Sequence, residues 1–257
     1  IQNRIISDSW PEWKRVKAIE YLKNEKERMS EMEYGQQYLA LFLDEFAQFY
    51  PTELIRKCMS AAKQDIGKEG REFYLGIDVA RMGDDKCTFE IFERRNELLI
   101  HRENIVWKKI YLNEIYEKIL NLDLLWKFKK IYIDSGGIGI GVFDSLLANP
   151  QTKRRILGID ASTREVEYNI DGNPRKKGIL KEDLHHNLLS LMEKGKLLLL
   201  DESSVFQSFK SVTYEYSDSG AGMTLKISGD DTHIVEGINR AAWCMREKAN
   251  KVHIRYI

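Results

Sequence analysis

The stretch EFYLGIDVARMGDDKCTFEIFERRNELLIHRENIV, residues 72–106, reads as three β-strands in succession. The β-rich run EFYLGIDVA (72–80) ends near an acid, Asp78, and gives way to the glycine-bearing turn RMGDD. KCTFEIFER (86–94) and NELLIHRENIV (96–106) follow, joined by RRN as a short hairpin connection, so the three suit an antiparallel meander. Downstream the texture changes to alternating helices and strands. KKIYLNEIYEKILNLDLLWKF (108–128) sets Ile115, Ile119 and Leu122 on one helical face; KKIYID (129–134) is a short buried strand, and GVFDSLLAN (141–149) a helix. RRILGID (154–160) is a further strand. LKEDLHHNLLSLMEKG (180–195) is a helix with Leu184, Leu188 and Leu191 on one face and Gly195 as its C-cap. VTYEYS and MTLKIS alternate as a hairpin around DSGAG, before a last helix from about Thr232. A meander followed by βαβ crossovers makes a mixed α/β sheet flanked by helices, distinct from a plain doubly wound nucleotide fold.

Upstream, residues 1–63 are highly charged and carry a helix-like pattern, broken at Gly35 and stopped near Pro51. QDIGKEGR (64–71) is a polar link, which divides the chain into a helical segment, 1–63, and an α/β domain, 64–257. With 257 residues and 43% apolar content the chain can bury a substantial core. Cys58, Cys87 and Cys244 lack zinc-ligand spacing and fit a reducing compartment. No apolar run approaches a membrane span, and the net charge of zero neither requires nor excludes nucleic acid.

The chemistry starts at IYIDSGGIGIG (131–141), where a strand ends in Asp134 and runs into glycines. Neither a P-loop nor the dinucleotide pattern G-x-G-x-x-G occurs there, so the glycines serve either a tight turn without chemistry or close approach of a substrate backbone. Asp78 stands in the same kind of place, with Asp84 and Asp85 in the turn after it. If their strands are neighbours, about 5 Å apart, the two carboxylates repel by about 3 kcal/mol at an effective dielectric of about 20. One acid must then be protonated or a cation bound, and carboxylate oxygens suit Mg²⁺ or Mn²⁺.

A third group lies in SGDDTHIVEGINRAAWCMREKA (228–249). Ile234, Ile238, Ala241 and Met245 form the apolar stripe, Asp231 is a good N-cap, and His233 and Glu236 project from nearly the same side. This set can complete a metal site, or it can be a capped helix whose Glu236 pairs with Arg240.

In order and spacing, FYLGIDVARMGDDKCTFEIFE, KKIYIDSGGIGIGVFDSLL and DDTHIVEGINRAAW resemble the C-terminal nuclease domain of tailed-bacteriophage large terminase subunits, over about residues 72–250. LLSLMEKGKLLLL adds to the likeness, and residues 1–60 resemble the segment leading out of that family's ATPase domain. The resemblance implies an RNase H-like (RuvC-like) fold and a metal-dependent endonuclease that cuts concatemeric double-stranded viral DNA during genome packaging. It implies two divalent cations, Mg²⁺ or Mn²⁺, with Asp78 bridging them, Asp134 holding one, and His233, helped by Asp231 or Glu236, the other. The commonest third motif of the family, H-D-D-x-V-D-A, differs here: His233 falls where many members have an Asp ligand. Asp231 is the rival ligand, and Asp84 and Glu236 stand as supporting acids behind the metal.

DNA is expected at local basic clusters. Arg175, Lys176 and Lys177 lie in YNIDGNPRKKG, which reads as a protruding loop or hairpin, and Lys153 and Arg154 form a second cluster. The family's context implies a small terminase subunit and a portal as further partners of the full-length protein, a monomeric fragment, no membrane, and the host-cell cytoplasm. A junction resolvase or transposase of the same fold would use the same acids on other DNA. An actin-like nucleotide-binding module would share the meander.

Overall fold

The computed structural model describes residues 10–30, 34–35, 38, 47–64, 69–80, 85–162, 164–168, 174–218 and 223–246. The elements run, in chain order, α1 (Glu12–Arg28), β1 (Ala47–Gln48), α2 (Thr52–Cys58), β2 (Met59–Ala61), β3 (Glu72–Asp78), β4 (Lys86–Arg95) and β5 (Leu98–Lys108). There follow α3 (Leu112–Trp126), β6 (Lys130–Asp134), α4 (Gly139–Ala148), β7 (Ile156–Ile159), β8 (Arg164–Tyr168), β9 (Pro174–Ile179) and α5 (Leu180–Glu193). The chain continues through β10 (Leu197–Leu200), α6 (Ser203–Ser211), β11 (Thr213–Asp218), β12 (Met223–Ser228) and α7 (His233–Ala242).

A seven-stranded sheet in the order β2-β10-β5-β4-β3-β6-β7 forms the centre. β3, β4 and β5 make the antiparallel meander expected from residues 72–106, while β6 runs parallel to β3 and β7 parallel to β6. β10 and β2 extend the other edge, parallel to β5. This is the RNase H-like mixed sheet with helices on both faces and a helical segment before it.

The pleat divides the core. Phe73, Leu75 and Ile77 of β3 pack with Ile115, Ile119 and Leu122 of α3 and with Val142 and Leu146 of α4. Tyr74 of β3, Phe92 of β4 and Tyr132 of β6 face the other way, into the cluster built by α5, α6 and α7. Alternation therefore turns Gly76, Asp78 and Asp134 toward the face that α7 covers. Each fully buried aliphatic side chain stabilises the fold by about 1.5–3 kcal/mol.

The N-terminal region departs from the sequence reading in two ways. The first helix stops at Arg28, well before Gly35, and Pro51 opens α2 rather than only stopping a helix. Pro51 is the N-cap, a position whose N–H has no intrahelical acceptor, so a proline there removes no helix hydrogen bond. Phe49, Tyr50, Ile55 and Cys58 are buried in the same cluster as α5–α7, and β2 pairs with β10. Among the described residues no helix is long and apolar enough to cross a membrane.

Candidate active site at the strand ends

The site is assembled where α7 crosses the ends of β3 and β6. Gly76 and Gly237 permit the crossing: a methyl group at Gly76 would meet Gly237 O at 2.1 Å and Ala241 N at 2.5 Å, and one at Gly237 would meet Glu90 Cγ and Thr88 Oγ1 at 2.8 Å. The first turn of α7 is tied to β4, where Thr88 Oγ1 donates to His233 O at 3.0 Å and Lys86 Nζ pairs with Asp231. Thr88 is the cross-strand partner of Asp78, so this tie sets His233 beside Asp78, Nδ1 to Oδ2 at 2.9 Å. That hydrogen bond, against the opposing effect of burial, raises the His233 pKa, with Asp85 and Asp231 adding to it.

Asp78 and Asp134 do end adjacent parallel strands, Ile77 being in register with Ile133. Their repulsion is relieved in a way that counting acids alone misses. The guanidinium of Arg240, whose side chain is 3% exposed, stands between them, Nη1 3.1 Å from Asp78 Oδ1 and Nη2 3.3 Å from Asp134 Oδ2. Arg240 is itself held from behind, since Nη1 donates to Glu236 O at 2.9 Å and lies 3.6 Å from Glu236 Oε2. Burial raises the Asp134 pKa, and Arg240 and the Gly136 N–H counter it in part.

Glu236 parts company with His233. Its carboxylate turns toward α5, where His185 Nε2 and Lys181 Nζ each lie 3.3 Å from Oε1, and Tyr50 Oη is 2.8 Å from His185 Nδ1. Burial would raise its pKa, but His185, Arg240 and Lys181 outweigh it and hold Glu236 ionised far below the usual carboxylate range.

Asp231 is corrected as a cap. α7 starts at His233, its N-cap Thr232 makes no side-chain cap bond, and Ser208 Oγ of α6 instead accepts from Val235 N at 3.3 Å while donating to Asp231 O at 2.8 Å. The Asp231 carboxylate is engaged by Lys86. Asp84 lies outside the described residues. Arg175, Lys176 and Lys177 lie on β9, which pairs with β8 as a two-stranded antiparallel ribbon separate from the main sheet. Lys153 and Arg154 precede β7 and so sit at the opposite end of the parallel strands from Asp134.

One acid was missed. Asp160 follows β7, and a methyl group at Gly136 would meet Asp160 Oδ1 at 3.0 Å and Asp134 Oδ1 at 3.3 Å. The signal was present, since LGID occurs at 157–160 as it does at 75–78.

Carboxylate oxygens with an imidazole are donors suited to a divalent cation. Among the described residues, however, no three His, Cys, Asp or Glu side chains converge into a group able to hold one. The donor types at this edge fit a metal, and Arg240 takes up the space between the two acids that end β3 and β6.

No family model matches the sequence, and comparison with curated proteins finds no match. Solved structures do match. The large terminase nuclease of thermophilic phage G20c with bound magnesium aligns with a TM-score of 0.57 at 13% identity, over 76% of this chain and 97% of that one. The cobalt-bound form of the same nuclease gives a TM-score of 0.55 at 14% identity, over 76% and 97%. The large terminase of a second thermophilic bacteriophage, in complex with ATP-gamma-S, gives 0.59 at 13% identity, over 87% of this chain and 52% of that one. This chain therefore has the fold of a large-terminase nuclease domain and spans about half the length of the complete large terminase it matches.

Proposed function

We propose that this chain is a metal-dependent endonuclease that cuts double-stranded DNA during viral genome packaging. The observation that carries the reading is the placing of Asp78 and Asp134 at the ends of adjacent parallel strands, under a helix that brings His233 to the same edge. The fold shared with metal-bound terminase nucleases supports it.

Asp78, Asp134 and His233 are the residues that would hold Mg²⁺ or Mn²⁺, with Asp231 as the rival to His233 and Asp84 in a supporting role. When bound, a divalent cation supplies a nucleophile at neutral pH and offsets charge on the leaving oxygen. The chain's own residues prepare that edge. Glu236 and Arg240 fix α7 against the strand ends, and Asp78 orients the His233 ring through Nδ1, with Nε2 3.7 Å from Asp85 Oδ1. Hydrolysis adds water to phosphorus and breaks the P–O3′ bond, and the 3′ oxygen takes a proton, which leaves a 5′ phosphate and a 3′ hydroxyl. The β8–β9 ribbon, with Arg175, Lys176 and Lys177, is the DNA-gripping element in this reading, through phosphates rather than bases. Residues 1–63 lead in from an ATPase domain, and the small terminase subunit and portal are partners of the full-length protein.

Cleavage of a linear duplex and of a four-way junction, each in Mn²⁺ and in EDTA, tests the assignment. Mn²⁺-dependent cutting of the linear duplex is expected. Cutting confined to the junction would assign the chain to the resolvase type instead.

A further inference from the structure

We infer that Arg240 is a resident cation of the strand-end site, standing in for one of two divalent ions, so that each chain binds one. The inference rests on the nuclease reading of Asp78 and Asp134 and departs from the pair of ions that the sequence resemblance implies.

Three observations carry it. The guanidinium contacts both strand-end carboxylates at once, 3.1 Å from Asp78 Oδ1 and 3.3 Å from Asp134 Oδ2, and so stands between the two acids that the resemblance makes metal ligands. It is also built in. Its side chain is 3% exposed, Nη1 donates to Glu236 O one turn back, and the Glu236 carboxylate, anchored by His185 and Lys181, closes it from behind. The backbone that carries it has no room to approach further, because Gly76 already touches Gly237 and Ala241. A surface arginine swings away when a metal arrives; this one is enclosed on the side away from the acids.

Charge is the third observation. Asp78, Asp85, Asp134 and Asp160 stand along this edge, with Arg240 among them and Glu236 satisfied from α5. Four carboxylates against one guanidinium leave three negative charges, of which one divalent ion offsets two. A second ion would leave the edge net positive, with a buried guanidinium facing metal across a few ångströms in a medium that screens poorly. Arg240 in this role is a positioning and charge-balancing residue: it spaces the two acids and offsets their charge.

The test is to count Mn²⁺ bound per chain from the loss of the free Mn²⁺ electron paramagnetic resonance signal, on the whole chain. Wild type, Arg240→Gln, Arg240→Lys and Asp134→Asn are compared, with folding checked by circular dichroism. One Mn²⁺ per wild-type chain, two for Arg240→Gln, one for Arg240→Lys and loss in Asp134→Asn are the expected results. Two ions on the wild type would overturn the role of Arg240 and leave the nuclease reading intact. No ion on the wild type would overturn both. If Arg240→Gln does not fold, the wild-type count decides alone. A folded Arg240→Gln that still binds only one ion also counts against the inference.

Discussion

Gly237 of α7 lies against Gly76 of β3, so closely that a methyl group on Gly76 would sit 2.1 Å from the Gly237 carbonyl oxygen. This packing sets the height of α7 over the sheet, and with it the reach of His233 and Arg240 to Asp78 and Asp134.

Gly76→Ala is therefore expected to push α7 off the sheet. Overpacking against backbone costs about 3 kcal/mol or more, which in a domain of this size lowers Tm by roughly 6–12 °C. Gly141→Ala is the control, since its added methyl meets only Leu112 Cδ1 at 3.8 Å within a helix and should change stability by no more than about 1 kcal/mol. Thermal unfolding of the two variants decides: equal shifts would remove the close approach of Gly76 and Gly237 from the explanation.

Glu236 is expected to matter more for stability than its partner Lys181. Glu236→Gln leaves the buried His185 without its carboxylate and removes the one behind Arg240, which keeps Asp78 and Asp134, a loss of about 3 kcal/mol in urea unfolding. Lys181 is about one-third exposed, so Lys181→Met should cost less than about 1 kcal/mol. The reverse order would mean that Arg240 does not need Glu236.

The meander, the crossovers and the apolar stripe of α7 were legible in the sequence because each rests on local periodicity, while residues 81–84 of the turn RMGDD lie outside the described residues. β10 was not read, because LLLL after Gly195 has no alternation and could equally extend a helix. α6 was missed, although its Ser208 supplies the cap that Asp231 was expected to give. Arg240 shows the limit of spacing arguments. Its i,i+4 relation to Glu236 is visible in sequence, but its place between Asp78 and Asp134 depends on how deeply α7 packs, which only the meeting of Gly76 with Gly237 fixes.

A pH dependence of stability follows from His186. Burial, with the neighbouring His185 adding to it, lowers its pKa to about 3, so the folded ring stays neutral where the unfolded one takes a proton. Stability from this ring is fully present above about pH 6.5 and falls as pH drops toward 3, by about 1.4 kcal/mol per unit. His101 is lowered to about 3 as well, but it faces Glu90, whose carboxyl burial raises. That neutral pair carries one proton, as the unfolded pair does between about pH 4.3 and 6.5, so the two cancel there. Between pH 7.5 and 5.5, wild type should lose on the order of 1 kcal/mol more than His186→Gln. Equal losses in the two proteins would remove His186 as the cause.

Replacing Arg175, Lys176 and Lys177 together by alanine is expected to weaken duplex binding uniformly across sequences. The slope of log K against log salt should shrink by up to about three, roughly one for each phosphate no longer neutralised. An unchanged slope would place the DNA elsewhere.

Plasmid cleavage by wild type and Asp134→Asn, in Mn²⁺, Mg²⁺ and EDTA, tests the account most directly. Metal-dependent cutting by the wild type, abolished in a folded Asp134→Asn, is the expected result. Equal cutting by the two proteins, or no cutting by the wild type in either metal, would contradict the assignment of the active site to the ends of β3 and β6.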